Sequence, residues 1–185
     1  MKKLLLAFVI LLFSLTSNVV FSADYNKGWE AYNSGDYATA LLEWKPLAEQ
    51  GNLAAQNNLG LMYVQGLGIP QDYKTALKWF RLAAAQGISS AQTSMGFMYE
   101  FGQGVTKNYK TAQKWYKLSA EQGDETGQLN LGLLYDNGLG VPQDNKTAVK
   151  WYKLSAAQGN NHAQFNLGLS YYYGDSSSML TTTSM

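Results

Sequence analysis

The residues that could do chemistry in this 185-residue chain are few and scattered. His162 is the single histidine and there is no cysteine, so the chain cannot assemble a His-based metal cluster, a cysteine nucleophile or a Cys/His metal site. The carboxylates on the candidate surfaces follow no spacing that would make one a general acid and another a base: Glu100, Glu121, Asp124, Glu125 and Asp136. We therefore predict no catalytic residue, no metal site and no cofactor, and expect that the protein is not an enzyme.

The first 23 residues have the pattern of a secretory signal peptide. Lys2 and Lys3 form a short basic region, and residues 4–15 are an apolar run shorter than a transmembrane helix requires. Residues 20–23, Val-Phe-Ser-Ala, offer small side chains for cleavage after residue 22 or 23. An uncleaved N-terminal anchor is the alternative. We expect a bacterial protein that is periplasmic or secreted, with no transmembrane segment once the signal is removed.

The net charge argues against a nucleic-acid partner. Removal of Lys2 and Lys3 with the signal leaves 12 of the 14 Lys and Arg against 13 Asp and Glu, a net charge near −1. Nucleic-acid-binding domains are usually strongly basic. The partner is therefore expected to be of another class.

A 36-residue unit recurs along the chain and dominates its organisation. Ala-Leu-Lys-Trp-Phe-Arg-Leu at 76–82 returns with small changes at 112–118 and at 148–154. Repeats of this length indicate an α-solenoid, in which each unit packs on its neighbours. The three full units are expected at 52–87, 88–123 and 124–159.

Each unit is predicted to contain two helices. In the first unit, apolar residues at helical spacing favour helix A at about 53–65 and helix B at about 72–86. Residues suited to capping stand at the start of helix B: Asp72, Asn108 and Asp144. Glycines suited to a left-handed C-terminal position follow both helices: Gly66, Gly102 and Gly138 after helix A, and Gly87, Gly123 and Gly159 after helix B.

A further glycine lies inside each helix A: Gly60, Gly96, Gly132 and Gly168. Because an internal glycine costs about 1 kcal/mol relative to alanine, its recurrence predicts a close backbone contact that a side chain would block. The large tryptophan and tyrosine side chains are expected to fill the space between neighbouring hairpins.

The two ends of the array differ from the units between them. Residues 24–51 predict a shorter capping hairpin, with helices at 25–34 and 37–50 and a kink or break at Pro46. Residues 160–174 predict a partial fourth unit, a lone helix at 161–173, and residues 175–185 a disordered tail. A truncated or frame-shifted gene is an alternative explanation for that unfinished unit.

These residues resemble the Sel-one-like repeat family, which is related to tetratricopeptide repeats. The family pattern is Ala-x-x-x-Leu-Gly-x-x-Tyr-x-x-Gly-x-Gly, then Asp, Ala, Trp-Tyr and Gln-Gly. The first unit matches it at Ala55, Leu59, Gly60, Tyr63, Gly66, Gly68, Asp72, Ala76, Trp79, Ala84, Gln86 and Gly87. The match covers 52–174. The resemblance implies an all-α fold, a right-handed superhelix of antiparallel helix pairs, and an adaptor role that often serves envelope or signalling complexes in bacteria.

Some secreted members of that family have been linked to cell-wall chemistry, in proteins whose repeats carry pairs of cysteines. This chain has no cysteine, so that activity is not carried over to it. A cell-wall-directed hydrolase or a β-lactam hydrolase remains the least favoured function.

In solenoids of this type helix A lines the concave groove, and its face opposite the core stripe is the candidate binding surface. Two columns of positions on that face differ between the units. The first variable column is Asn57, Thr93, Leu129 and Phe165, and the second variable column is Val64, Glu100, Asp136 and Tyr172. Positions that differ between units while their neighbours stay fixed are candidates for contact with a partner. The alternative is that these positions are simply exposed and under no constraint. Between them runs an apolar column, expected to pack against a neighbouring helix: Leu61, Phe97, Leu133 and Leu169.

Helix B carries a lysine face, on the side opposite its alanines and tryptophan: Lys74, Lys78, Arg81, Lys110, Lys114, Lys117, Lys146, Lys150 and Lys153. A solvated, solubilising helix face is the favoured explanation, and attraction to an anionic glycan or membrane surface is the functional one. The prediction for the whole chain is a monomeric scaffold that binds a protein or peptide through its concave helix-A surface. Binding of cell wall or anionic glycan through the lysine face is the alternative.

Overall fold

The chain folds as an all-α solenoid. The computed structural model describes residues 22–181, with side chains described up to residue 172. Every regular element in this range is an α-helix: α1 Tyr25–Ser34, α2 Tyr37–Glu49, α3 Leu53–Gln65, α4 Tyr73–Ala85, α5 Ser89–Phe101, α6 Tyr109–Glu121, α7 Glu125–Asn137, α8 Asn145–Ala157 and α9 Asn161–Thr181. Each helix packs mainly on the helices before and after it, as a stack of hairpins requires. Residues 1–21, which hold nearly all of the predicted signal peptide, lie outside the described residues.

The predicted helices and their caps are confirmed in the repeats. Helix A of the first unit is α3 and helix B is α4. Asp72 Oδ1 accepts hydrogen bonds from the Lys74 N–H at 2.9 Å and the Thr75 N–H at 3.1 Å, which satisfies two donors that the helix leaves unpaired. Asn108 and Asp144 cap α6 and α8, each by accepting from one backbone N–H, that of Thr111 and that of Thr147. The glycines predicted to follow both helices all have left-handed φ.

The sequence predicts a kink or a break at Pro46, and helix α2 of the first hairpin is continuous, so the break is wrong. Pro46 lies in the last turn, where the helix ends at Glu49, and its own carbonyl accepts a hydrogen bond from the Gln50 N–H at 3.1 Å. Because proline has no backbone N–H, the helix loses a single hydrogen bond, and that bond is close to its end. The hairpin is also held by buried Glu43, which accepts from the Asp24 N–H at 2.8 Å.

The glycines inside helix A lie against an aromatic ring from helix B of the same hairpin. The pairs are Gly28–Trp44, Gly60–Phe80, Gly96–Tyr116 and Gly132–Tyr152. A Cβ atom at Gly132 would lie 2.6 Å from Tyr152 Cε1, a distance that carbon atoms do not adopt. The predicted close contact exists, but its partner is a ring rather than a second backbone. At Gly168 an added Cβ atom would meet no atom of the described residues within 4 Å.

Neighbouring hairpins share a core. Helix B of one hairpin and helix A of the next bury their apolar faces together, and the tryptophan of the following helix B packs against the edge of that cluster. Trp79, Trp115 and Trp151 are these edge residues, as the sequence predicts. Buried glutamines add polar links, because Gln92 Nε2 donates to the Ala84 carbonyl at 3.2 Å and Gln128 Nε2 to the Ala120 carbonyl at 3.2 Å.

The last helix extends further than predicted. Helix α9 runs from Asn161 to Thr181, whereas the sequence predicts a helix at 161–173 and a disordered tail at 175–185. Gly174 is a weak helix former, yet no proline follows it to stop the helix, and the helical backbone continues through it. Residues 182–185 lie outside the described residues.

Candidate protein-binding groove

A cavity of about 500 Å³ opens along the helices A of three successive repeats, α3, α5 and α7. We call it the groove. It is lined by Leu61, Val64 and Gln65 of α3, by Thr93, Ser94, Phe97, Met98, Glu100 and Phe101 of α5, by Thr126, Asn130 and Leu133 of α7, and by the ring of Phe80. Its size and mostly apolar lining, with a few polar groups, are typical of a binding cleft.

Three members of the apolar column, Leu61, Phe97 and Leu133, line the floor of this groove. Leu61 and Leu133 also pack against core clusters, as predicted, so the prediction is wrong only for the exposed Phe97 and Leu169. Phe97 is 41% exposed, and Leu61 and Leu133 are half-buried and line the cavity. The physical reason is which helices contact one another in the solenoid. Each helix A packs closely on the two helices B beside it and only lightly on the next helix A, which leaves the column partly uncovered, most of all at Phe97.

An aromatic pair dominates the floor. The rings of Phe97 and Phe101, one helical turn apart on α5, have centroids 4.4 Å apart and planes tilted by 42°. Phe101 is 54% exposed. The sequence places Phe101 on the same face of helix A as Phe97, four residues later, but outside the two variable columns, so it is not among the predicted contact residues.

The first variable column is largely structural. Asn57 and Leu129 are buried, each 8% exposed, so the prediction that they contact a partner is wrong for these two residues. Leu129 belongs to the core cluster that includes Tyr152. Phe165, on α9, is 65% exposed and lies beyond the cavity.

Thr93 is the member of that column that lines the groove, and its hydroxyl is already engaged. Thr93 Oγ1 lies 2.7 Å from Ser119 Oγ and donates to Asp124 Oδ1 at 3.1 Å. The same Asp124 oxygen caps α7 by accepting from the Gly127 N–H at 2.7 Å. The hydroxyl of Thr93 therefore links two repeats. Its methyl group is the part of the side chain that remains for contact with a partner in the groove.

The second variable column varies together with the buried aromatic residue of helix B. The Tyr116 hydroxyl donates to Glu100 Oε2 at 2.6 Å, and the Tyr152 hydroxyl donates to Asp136 Oδ2 at 3.1 Å. In the first repeat the aromatic residue is Phe80, which has no hydroxyl, and the corresponding position is Val64. Val64 and Glu100 line the cavity, whereas Asp136 lies outside its lining.

The fourth member of this column, Tyr172, is 68% exposed on α9. Tyr172 lies outside the lining of the groove.

Burial keeps the tyrosines of these pairs neutral. Desolvation raises the pKa of Tyr116 far above its ordinary value of 10.0, and the hydrogen bond to the Glu100 carboxylate raises it further. The pKa of Tyr152 is raised for the same reasons, with Asp136 as the neighbouring charge. Each hydroxyl is therefore a permanent donor that positions its carboxylate.

Charges are segregated between the two kinds of helix. All charged residues of α3, α5 and α7 are acidic: Glu100, Glu125 and Asp136. The nine residues of the lysine face lie on α4, α6 and α8, and every one of them is exposed, as predicted. The groove side of the solenoid therefore carries negative charge and the outer helices carry positive charge.

No cluster of three or more His, Cys, Asp or Glu side chains is placed to hold a metal ion in the part of the chain that the structure describes. Nor does any helix in that part have the length and apolar character needed to cross a bilayer.

Comparison with solved structures identifies relatives of this solenoid. A Sel1 repeat protein from Oxalobacter formigenes aligns with a TM-score of 0.74 and 36% sequence identity, covering 82% of this chain and 62% of that one. The protective antigen c5321 of uropathogenic Escherichia coli, which displays an SLR fold, aligns with a TM-score of 0.50 and 37% identity, covering 81% of this chain and 41% of that one. This chain therefore spans less than two thirds of the length of either protein.

A more distant neighbour is the cysteine rich protein B of Helicobacter pylori, with a TM-score of 0.57, 23% identity, and coverage of 71% of this chain and 95% of that one. At that identity the likeness concerns the fold alone. No curated protein matches the sequence significantly. The Sel1 repeat model matches residues 53–88, 89–124, 126–160 and 161–179, which is more than half of the sequence. The chain belongs to the Sel1 repeat family.

Proposed function

We propose that this chain is an exported bacterial scaffold that binds a protein or peptide segment in the groove. Sel1 repeat proteins typically act as scaffolds for protein interaction and are generally not catalysts. The observation that carries the proposal is the exposed aromatic pair, Phe97 and Phe101, on the floor of a cavity of about 500 Å³. Clustered apolar surface of this kind marks interaction sites in soluble proteins, and aromatic anchors supply much of the binding energy there.

The test compares two exposed apolar residues, one in the groove and one outside it. Phe97→Ser removes an anchor from the groove, while Leu154→Ser alters a residue of α8 that is 50% exposed and lies outside the groove. The mature protein and both variants are used as bait in extracts of the cell envelope, after thermal unfolding has shown that all three are folded. Loss of partners with Phe97→Ser but not with Leu154→Ser supports the groove. Retention of every partner by Phe97→Ser contradicts it.

Export has its own test. The mass of the purified protein, expressed in a bacterium from the full sequence with a C-terminal tag, is measured together with its distribution between cell fractions. Cleavage after residue 22 or 23 and recovery from the periplasm or the medium support export. A full-length chain confined to the cytoplasm contradicts it.

A second candidate function is the binding of an anionic glycan or cell-wall polymer through the lysine face. The observation that favours it is the exposure of all nine residues of that face, together with half-exposed leucines on the same helices: Leu82, Leu118 and Leu154. Attraction to a polyanion would be strongly salt-dependent. Binding of purified cell-wall polymer that Lys114→Glu with Lys150→Glu abolishes, and that Phe97→Ser leaves unchanged, favours this function over the first.

A further inference from the structure

We propose that the groove takes a peptide segment bearing a large apolar side chain beside a lysine or arginine, with the apolar group on Phe97 and Phe101 and the cation on Glu100. This proposal rests on the proposed function and names the chemistry of its partner. It follows from the shape of the groove floor, from the charges that line it and from the charges that surround it.

The apolar part of the proposed site is formed by the side chains on the floor of the groove. The Phe97 and Phe101 rings are tilted against each other with centroids 4.4 Å apart, and Leu61 and Leu133 stand on the neighbouring helices. Both rings are about half exposed, so each still has apolar surface to bury. A cavity of about 500 Å³ accommodates one or two large side chains rather than a whole helix.

The charged half of the site is a single carboxylate. Glu100 is the sole charged residue among those that line the cavity. Its Oε2 accepts the hydrogen bond from Tyr116 at 2.6 Å, which orients the group from a fully buried side chain. No lysine or arginine of the described residues forms an ion pair with Glu100. An ammonium or guanidinium group from a partner would complete a charge-assisted hydrogen bond there.

The wider field favours the same occupant. The helices that form the groove carry acids and no Lys or Arg, and the nine cations of the lysine face lie on the other set of helices. A cationic segment is therefore attracted to the groove and an acidic segment is repelled from it. A neutral apolar segment would contact Phe97 and Phe101 but would gain no electrostatic attraction.

The experiment selects peptides from a random 12-residue display library on the folded mature protein. A peptide enriched on the wild type and its analogue with each Lys or Arg replaced by Gln are then titrated against four proteins: wild type, Glu100→Gln, Asp136→Asn and Phe97→Ser. Glutamine at 100 retains an oxygen that accepts from Tyr116, so it removes the charge without removing the bond. Asp136→Asn is the matched control, because Asp136 makes the same kind of bond to Tyr152 outside the cavity.

The expected result is enrichment of peptides in which Lys or Arg adjoins an aromatic or large aliphatic residue. Glu100→Gln is expected to weaken the binding of such a peptide about tenfold, because one charge-assisted hydrogen bond is lost. It should change the affinity for the neutral analogue little. Asp136→Asn removes a charge outside the cavity and is expected to weaken the basic peptide far less than Glu100→Gln does, and Phe97→Ser is expected to bind neither peptide. Equal affinity of wild type and Glu100→Gln for the basic peptide, with Phe97→Ser inactive, overturns this proposal and leaves the proposed function intact. Unchanged binding to Phe97→Ser overturns both.

Discussion

The Tyr116 hydroxyl donates a 2.6 Å hydrogen bond to Glu100 Oε2, and so links a fully buried ring of α6 to a carboxylate at the groove. The third repeat has the same link between Tyr152 and Asp136. The first repeat lacks both the hydroxyl and the acid, since Phe80 there accompanies Val64. A groove side chain in this solenoid is therefore matched to the buried aromatic residue behind it.

We expect the two positions to be energetically coupled. Glu100→Val alone leaves the buried Tyr116 hydroxyl without its partner and is expected to cost about 1–3 kcal/mol of unfolding free energy. Tyr116→Phe alone removes one hydrogen bond and is expected to cost about 0.5–1.5 kcal/mol. The double variant reproduces the Phe80 and Val64 pair of the first repeat, so it should be more stable than Glu100→Val. Urea unfolding of the four proteins measures the coupling, and strictly additive losses would contradict it.

Alkaline pH should destabilise the protein through the same tyrosine. Because burial raises the pKa of Tyr116 in the folded state, the unfolded chain releases that proton first, at pH near 10. Below that pH both states keep the proton and its contribution to stability is fully present; above it the unfolding free energy falls by about 1.4 kcal/mol per pH unit for each such tyrosine. Urea unfolding between pH 8 and pH 11 should show a shallower fall in Tyr116→Phe than in the wild type. Tyr171→Phe, at an exposed position of α9, is the control and should retain the steeper fall.

The glycines inside helix A should differ sharply in their tolerance of alanine. At Gly96 the added Cβ would overlap the buried ring of Tyr116, and overpacking of this kind costs about 1–3 kcal/mol. At Gly168 the added Cβ meets no described atom within 4 Å, so the better helix propensity of alanine should leave stability unchanged or raise it by up to about 1 kcal/mol. Chemical unfolding of Gly96→Ala and Gly168→Ala tests this, and equal effects would contradict the role of the ring.

The helices and their caps could be predicted from the sequence because their causes are local. Asp72 precedes α4 by one residue, and the apolar spacing of α3 is contained in a single element. The groove could not be predicted as well, because exposure depends on distances between elements. The apolar spacing of Phe97 fits a core position as well as it fits a groove floor, and the separation of successive helices A decides between them.

The matching of variable positions was visible in the sequence. Valine at 64 occurs with phenylalanine 16 residues later, and an acid at 100 or 136 occurs with tyrosine at that distance. Two causes therefore make positions differ between units: contact with a buried residue of this chain, and contact with a bound protein or peptide. Only the structure, by showing the hydrogen bonds from Tyr116 and Tyr152, separates them.

The contact between successive repeats can be tested at two glycines that share a backbone conformation. Gly104 has φ of 70° and Gly123 has φ of 90°, so alanine at either should cost about 1–2 kcal/mol for the left-handed backbone. At Gly104 the added Cβ would also lie 2.6 Å from the Tyr73 carbonyl oxygen, at the start of helix B in the preceding repeat. At Gly123 it would meet nothing within 4 Å among the described residues.

Gly104→Ala should therefore destabilise the protein more than Gly123→Ala, by the additional cost of moving a loop away from α4. Because each repeat contacts only its neighbours, that loss falls on the interface between the first and second repeats and should lower the cooperativity of unfolding there. Urea unfolding gives the stability difference, and hydrogen exchange shows where protection is lost. Amides of α4 and α5 should exchange faster in Gly104→Ala than in Gly123→Ala. Equal stability and equal exchange in the two variants would mean that the loop does not hold the repeats together.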